Sequence, residues 1–206
     1  MDNNFCVVYS TSTRPKRHFH AVFSLASRLL IQIRMNTSPA PTNTTNDVSS
    51  PGQAESLASI VDYILSRFHE PLRRDLPGLV ENARQVEAQA ATSPLAPVGL
   101  TAHLEQIRLA VESHLAKEEQ ILFPLIVAGR GRNALMPIRV MMTEHDDHTE
   151  NLRRTRELTH EFALPSDASA ECRALYQDLQ HLEDELGKHI ELENKVLFPR
   201  ALEGER

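Results

Sequence analysis

An eleven-residue motif occurs twice in this chain and constrains its fold more than any other feature. The first copy begins at His114 and reads HLAKEEQILFP, and the second begins 75 residues later at His189 and reads HIELENKVLFP. Both place a glutamate four residues after the histidine, at Glu118 and Glu193. Since residues i and i+4 lie on one face of an α-helix, each copy points an imidazole and a carboxylate in the same direction. Two such helices facing each other would bring both pairs into one small volume, which is an arrangement suited to metal ions.

The chain around the motif carries apolar stripes at helical spacing in four long segments, residues 54–90, 98–128, 134–162 and 168–201. With short connections, these segments predict an all-α, up-down-up-down four-helix bundle. Pro71 and Pro77 are expected to bend or break the first helix. Ser166 or Asp167 is the expected N-cap of the fourth helix. The stripe of the second helix is predicted to comprise His103, Ile107, Ala110, His114, Glu118, Ile121, Leu122 and Leu125.

Both motif glutamates occupy positions on the apolar stripes, where a carboxylate without a partner would cost about several kcal/mol. A cation is the partner that the neighbouring histidines indicate. His69 and His145 lie on the stripes of the first and third helices, 45 and 44 residues before the motif histidines. The chain therefore reads as two similar helical hairpins whose pseudo-twofold packing would place six residues around one centre: His69, His114, Glu118, His145, His189 and Glu193.

The ligand types indicate which metal this centre would hold. Cys6 and Cys172 form no metal-binding spacing, which argues against a structural zinc site built on thiolates. Four imidazoles and two carboxylates exceed the needs of one tetrahedral zinc. They suit two ions that share bridging carboxylates, and iron is the usual choice in a four-helix bundle. The remaining positions would take an oxo or hydroxo bridge, water or a small diatomic ligand. A metal-free bundle stays an alternative, because a single His-x-x-x-Glu is usually a surface pair.

At these residues the chain resembles the hemerythrin-like proteins, and within them the iron–sulphur cluster repair di-iron proteins, also called the repair of iron centres family. The resemblance runs from about Leu57 to Gly204 and includes ILSRFH ending at His69, TEHD around His145 and both motif copies. Oxygen-carrying hemerythrins resemble it less, because they place a second histidine four residues after the one on the third helix. Here that residue is Thr149.

The resemblance implies that the four histidines are terminal ligands and that both glutamates bridge two non-haem irons, with an oxo or hydroxo bridge. It implies a function in repairing iron–sulphur clusters damaged by nitric oxide or oxidative stress, by donating iron or by binding nitric oxide. The alternatives are a nitric oxide or dioxygen binding module that scavenges or senses without repair, and a di-iron nitric oxide reductase. Whether the protein is an enzyme is therefore left open. Expected partners are nitric oxide or dioxygen and apo iron–sulphur proteins, and a homodimer is compatible with the sequence.

The first 53 residues differ from the rest and are predicted to be a disordered or loosely attached extension, followed by a bundle domain over residues 54–206. Residues 1–34 are basic, which is typical either of a targeting presequence or of an extension without a folded role upstream of a true start at Met35. Many members of the family carry a domain with a cysteine pair before the bundle, whereas this segment offers only Cys6.

The bulk composition narrows the partners and the compartment. The net charge of −6 argues against nucleic acid and anionic membranes as partners. With two cysteines and no long apolar run, a cytoplasmic location is expected.

For several residues near the centre, the sequence allows two alternative roles. Glu144 would line a polar access path or be a solvated acid. Glu185 would accept a hydrogen bond from His189 or lie exposed on its helix. His148 is expected to be structural or exposed, and Phe123 and Phe198 are expected to belong to the core.

Overall fold

The computed structural model describes residues 55–90 and 95–204, which form four long helices. Helix α1 covers residues 57–89 and α2 covers residues 100–127. Helix α3 is Leu135–Leu158, preceded by a 3-10 turn at Gly131–Ala134, and α4 covers residues 170–203. The predicted all-α bundle is confirmed. The predicted extension over residues 1–53 lies outside the described residues.

Two apolar clusters establish the direction of each helix. The first cluster combines apolar side chains from the start of α1, between Leu57 and Phe68, with those from the end of α2, the start of α3 and the end of α4. The second contains the later part of α1, the start of α2, the end of α3 and the start of α4. Each helix therefore runs from one cluster to the other in alternating directions, which is the predicted up-down-up-down order. The six predicted site residues fall between the two clusters on every helix.

Side chains cap the starts of α1, α2 and α4, although one cap differs from the prediction. Ser169 caps α4, because its hydroxyl accepts a hydrogen bond from the Cys172 backbone N–H at 3.1 Å. The prediction of Ser166 or Asp167 was wrong, since residues 165–168 form a separate turn before the helix. Helix α2 is capped from α1, where the Glu87 carboxylate accepts from the backbone N–H groups of Gly99 and Thr101.

Three of the four described helices contain one π-helical turn, at Leu65–His69, Glu118–Leu122 and Glu193–Leu197. The residue after each turn donates its backbone N–H to the carbonyl five residues earlier, and the next residue is a proline. Proline lacks an N–H, and its ring collides with the carbonyl four residues back in an ordinary α-helix. We attribute the wider turns to this collision. Helix α1 is consequently not broken: it passes Pro71 after a π turn and continues through Pro77.

The π turn of α2 changes which of its apolar residues reach the core. Ile121 and Leu125, which the regular spacing placed on the apolar stripe, are 53% exposed and half-buried respectively. Leu122, Phe123 and Ile126 are buried instead. An inserted residue in one turn rotates the following side chains around the helix axis, so a uniform period of 3.6 does not describe this end of α2.

No helix among the described residues is both long and apolar enough to cross a membrane.

Candidate metal centre

The structure brings all six predicted site residues to the middle of the bundle, between the two apolar clusters. Each of the six residues is at most 1% exposed. Glu118 and Glu193 begin the π turns of α2 and α4, and His69 ends the π turn of α1. The π-helical turn is a rare element that occurs most often at functional sites. Here three such turns meet at one set of polar residues.

The six residues form two overlapping groups, each with four side-chain ligand atoms lying within 4.8 Å of one another. One group combines His69 and His189 with both glutamates, and the other combines His114 and His145 with the same two glutamates. Both carboxylates therefore belong to both groups. This is the arrangement expected of two neighbouring cations that share two carboxylates.

The contacts of each carboxylate divide between the two groups. Oε2 of Glu118 lies 3.4 Å from Nε2 of His69 and 3.5 Å from Nε2 of His114. The carboxylate of Glu193 lies 3.1 Å from Nε2 of His145 through one oxygen and 3.1 Å from Nε2 of His189 through the other. Each carboxylate thus stands beside one imidazole of each group.

Burial keeps the imidazoles of His69 and His114 neutral, which is the state that binds metals. It lowers the pKa of His69 to about 4, with a further contribution from His189. It also lowers the pKa of His114 to about 3, although the hydrogen bond to a nearby carboxylate opposes this shift. At neutral pH both side chains therefore offer lone pairs rather than positive charges.

The pKa values of the two carboxylates are shifted in opposite directions. Burial raises the pKa of Glu118 well above its usual value, and the charge of Glu193 raises it further. Burial also opposes ionisation of Glu193, but contacts with His189 and His145 outweigh it and lower its pKa. Of the two carboxylates, Glu118 therefore favours the protonated form and Glu193 the charged form, and a bound cation would take the place of the proton.

The donor set fits hard or borderline cations such as iron. Among residues 55–90 and 95–204, all four carboxylate oxygens of Glu118 and Glu193 are buried without a hydrogen-bond partner. Nε2 of His114 and Nε2 of His145 are likewise unpaired within that described part. Buried polar atoms normally have partners, and converging nitrogens and oxygens without them are typical of ligands for a metal ion.

Two of the histidines are oriented through their outer nitrogens by residues that the sequence analysis missed. Nδ1 of His69 donates to the carboxylate of Glu119 at 2.8 Å, and Nδ1 of His145 donates to the amide oxygen of Asn194 at 2.9 Å. Each hydrogen bond directs the Nε2 lone pair into the centre. Their positions in the repeat could have identified both residues, since each directly follows a motif glutamate.

Glu144 has a role that differs from both predictions, an access path or a solvated acid. Its carboxylate accepts a hydrogen bond from Nδ1 of His114 at 2.9 Å and forms an ion pair with Lys117. Burial opposes ionisation of Glu144, but the hydrogen bonds from Lys117 and His114 outweigh it and lower the pKa. Glu144 is therefore a charged support for His114 rather than a simple solvated acid.

Glu185 does not contact the outer nitrogen of His189, so that reading was wrong. The carboxylate is 9% exposed and forms ion pairs with Arg67 and with Lys188. Nδ1 of His189 is buried and has no hydrogen-bond partner in the part of the chain that the structure describes. The ring of Phe68 covers this imidazole instead, with ring centroids 5.2 Å apart and an interplanar angle of 15°.

Aromatic rings close the centre. Phe123 and Phe198 are buried, as predicted, and stack against His69 and His145 at centroid distances of 5.5 Å and 5.8 Å. His148 is buried rather than exposed and packs edge-on against the His114 ring at 4.9 Å.

An antiparallel four-helix bundle with histidine–carboxylate pairs at its centre defines a cation-binding bundle. Residues 61–201 match the family model described as the hemerythrin HHE cation binding domain. The chain therefore belongs to the hemerythrin family, as its motifs indicated.

The chain is also similar to curated proteins with a more specific name. Two of them, from Escherichia coli O1:K1 and from Escherichia fergusonii, are named iron-sulfur cluster repair protein YtfE. Each is 44% identical over 149 residues, which cover 72% of this chain and 68% of the relative. The predicted resemblance to iron–sulphur cluster repair proteins is confirmed.

Proposed function

We propose that the centre holds two non-haem iron ions. His69 and His189 would bind one ion and His114 and His145 the other, with Glu118 and Glu193 shared between them. An oxo or hydroxo group would complete the bridge. The observation that carries this proposal is the division of contacts, because each carboxylate lies beside one imidazole of each group.

We further propose that the protein takes part in the repair of iron–sulphur clusters damaged by nitric oxide or oxidative stress. Support comes from the name of its relatives, iron-sulfur cluster repair protein, and from its membership of a cation-binding family. Bound ferrous iron would supply a transferable cation and open positions for nitric oxide or dioxygen. The partners would be apo iron–sulphur proteins. The compartment would be the cytoplasm, because ferrous iron and such clusters persist under reducing conditions.

The side chains of the centre are arranged to bind cations, although they do not fully neutralise two divalent ions. Burial keeps the imidazoles of His69 and His114 neutral, and two carboxylates supply at most two negative charges for two divalent cations. Glu119, Glu144 and Asn194 hold three imidazoles in a ligating orientation. The stacked rings of Phe123 and Phe198 cover the imidazoles of His69 and His145.

A first experiment tests the metal assignment. Purified protein reconstituted with ferrous iron should contain about two ions per chain, and oxidation should give the absorption of an oxo-bridged pair. Glu193→Gln should lose iron, whereas Glu191→Gln, an exposed acid two residues earlier on α4, should retain it. Equal iron contents in these two variants would contradict the bridging role.

A second experiment separates the functions. The iron-loaded protein is mixed with an iron–sulphur enzyme inactivated by nitric oxide, and recovery of that enzyme is followed together with the iron remaining on the donor. Recovery matched by loss of iron supports repair. Stopped-flow mixing with nitric oxide identifies the alternatives: tight binding without recovery indicates a scavenging or sensing module, and consumption over many turnovers indicates a reductase.

A further inference from the structure

The two halves of the repeat differ in what faces the outer nitrogens of the histidines. The residue after the motif glutamate supports the histidine of a neighbouring helix in both halves, as Glu119 does for His69 and Asn194 does for His145. By the same symmetry, the residues before His69 and His145 should support the motif histidines, His189 and His114. In one half Glu144 does so for His114.

The corresponding residue in the other half is Phe68, the residue before His69. A phenylalanine cannot accept a hydrogen bond through a carboxylate, and its ring instead stacks on His189 at 5.2 Å. Nδ1 of His189 consequently lacks a hydrogen-bond partner within residues 55–90 and 95–204. Of the four imidazoles, His189 is the one without a polar support in this described region.

The two ligand groups are therefore unequal. In the group of His114 and His145, both outer nitrogens are hydrogen-bonded, whereas in the group of His69 and His189 only the first is. Loss of such a supporting hydrogen bond typically reduces metal affinity by about 10- to 100-fold. The asymmetry predicts that one ion is held more weakly than the other.

A groove of about 490 Å³ between α1 and α4 lies beside the weaker group. Phe68 lines this groove and also stacks on His189, so one side chain borders both the groove and the ligand. The ion pair of Arg67 and Glu185 lines the same groove, and the Arg67 guanidinium lies 5.2 Å from the centre of the Phe68 ring. Glu185 precedes His189 by one helical turn and is the nearest acid to it along that wall of the groove.

We propose that the ion held by His69 and His189 is the exchangeable one, and that it enters and leaves through this groove past Phe68. The ion held by His114 and His145 stays. This inference rests on the proposed function and specifies which half of the centre donates iron. The transfer is an exchange of ligands for a ferrous ion and requires no change in oxidation state.

The experiment measures iron release from the protein loaded with two ferrous ions, after mixing with a coloured ferrous chelator such as ferrozine. Two phases are expected, each corresponding to one ion per chain, with rate constants that differ by about 10- to 100-fold. His189→Ala should leave only the slow phase, and His145→Ala should leave only the fast phase.

Three further variants test the positioning role. Phe68→Glu places at this position the residue type that its counterpart carries at 144, and it should slow the fast phase at least tenfold. Phe68→Leu keeps the position apolar but removes the stacked ring, and it should accelerate the fast phase only. Asn194→Leu, which removes the support of His145, should accelerate the slow phase only. Circular dichroism confirms folding, and if Phe68→Glu does not fold, the other two variants decide.

Release in a single phase would overturn the inference, and so would an effect of the Phe68 variants on the slow phase alone. The proposed function fails separately. Protein that binds two ions and restores damaged clusters, yet releases both at one rate, contradicts only the inference. Protein that never holds two ions contradicts both.

Discussion

Replacing Glu118 by glutamine should have opposite effects on the metal-free and the iron-loaded protein. The side chain is fully buried, and burial together with the charge of Glu193 raises its pKa. Glutamine keeps the shape, removes the second acid and offers an N–H donor to the remaining carboxylate. A hydrogen bond to a charged group contributes about 1.5–3 kcal/mol. For a folded region of this size, that gain corresponds to a rise in Tm of roughly 3–12 °C.

The effect should depend on pH in a defined direction. Because the folded-state pKa of Glu118 is raised above its usual value of 4.5, the folded protein binds more protons than the unfolded chain above that pH. The stability of the metal-free wild type therefore falls as pH rises through the raised pKa. The advantage of Glu118→Gln should be small near pH 4.5 and should grow towards pH 8.

The assay is thermal unfolding of chelator-treated protein, followed by circular dichroism at several pH values, together with iron analysis after reconstitution. Glu118→Gln should melt higher than the wild type without iron and should bind fewer than two ions. Glu191→Gln serves as the control and should change neither quantity, because this acid is exposed. A lower Tm of the metal-free variant would refute the argument that the carboxylate is retained for a cation, and so would full iron content.

Three further predictions concern stability away from the ligands. A Cβ on Gly131 would lie 1.6 Å from the carbonyl oxygen of Ala201, so Gly131→Ala should lower the free energy of unfolding in urea by about 1–3 kcal/mol. A Cβ on Gly187 meets nothing within 4 Å, so Gly187→Ala should raise that free energy by about 0.5–1 kcal/mol. Burial raises the pKa of Glu87, but the donors at the start of α2 outweigh it and lower the pKa. Glu87→Gln should therefore cost about 1 kcal/mol at pH 7, and the difference should shrink as pH falls below about 4.5; an unchanged difference at pH 3 would contradict this. His160 has a φ of 52°, so His160→Gly should raise the free energy of unfolding by about 1 kcal/mol, and a decrease would show that the left-handed backbone is not strained.

The helices and the convergence of the ligands could be predicted because both follow from regular spacing. The buried residues of α3 and α4 recur at helical spacing, and the six site residues lie on the predicted apolar stripes of the four helices. Spacing is less accurate where the helix is irregular, although Ala110, in the regular part of α2, was also placed on the stripe and is exposed. Ile121 was misplaced because the proline after Phe123 imposes a π turn whose extra residue shifts the apolar face. A rule that expects a wider turn before every proline in this motif would have corrected the error.

The supports of the imidazoles were harder to predict because they cross between helices. Glu144 contacts His114 from another helix, and no periodicity within one segment reports such a contact. Glu185 shows the opposite error. It lies four residues before His189 on the same helix, which suggested a hydrogen bond, yet its carboxylate turns to Arg67 across the groove. The comparison of equivalent positions in the two halves is a better guide than spacing along one helix.

The proposed inequality of the two ligand groups would also explain how the bundle can lose an ion without coming apart. The group proposed to stay joins three helices, with His114 and Glu118 on α2, His145 on α3 and Glu193 on α4. Only the group proposed to release its ion includes α1, through His69. Departure of that ion therefore frees α1 alone from the metal centre, and α1 is one wall of the groove through which the ion would pass. Because the other three helices remain joined across the gap between the two apolar clusters, the site can be refilled without reassembly of the core.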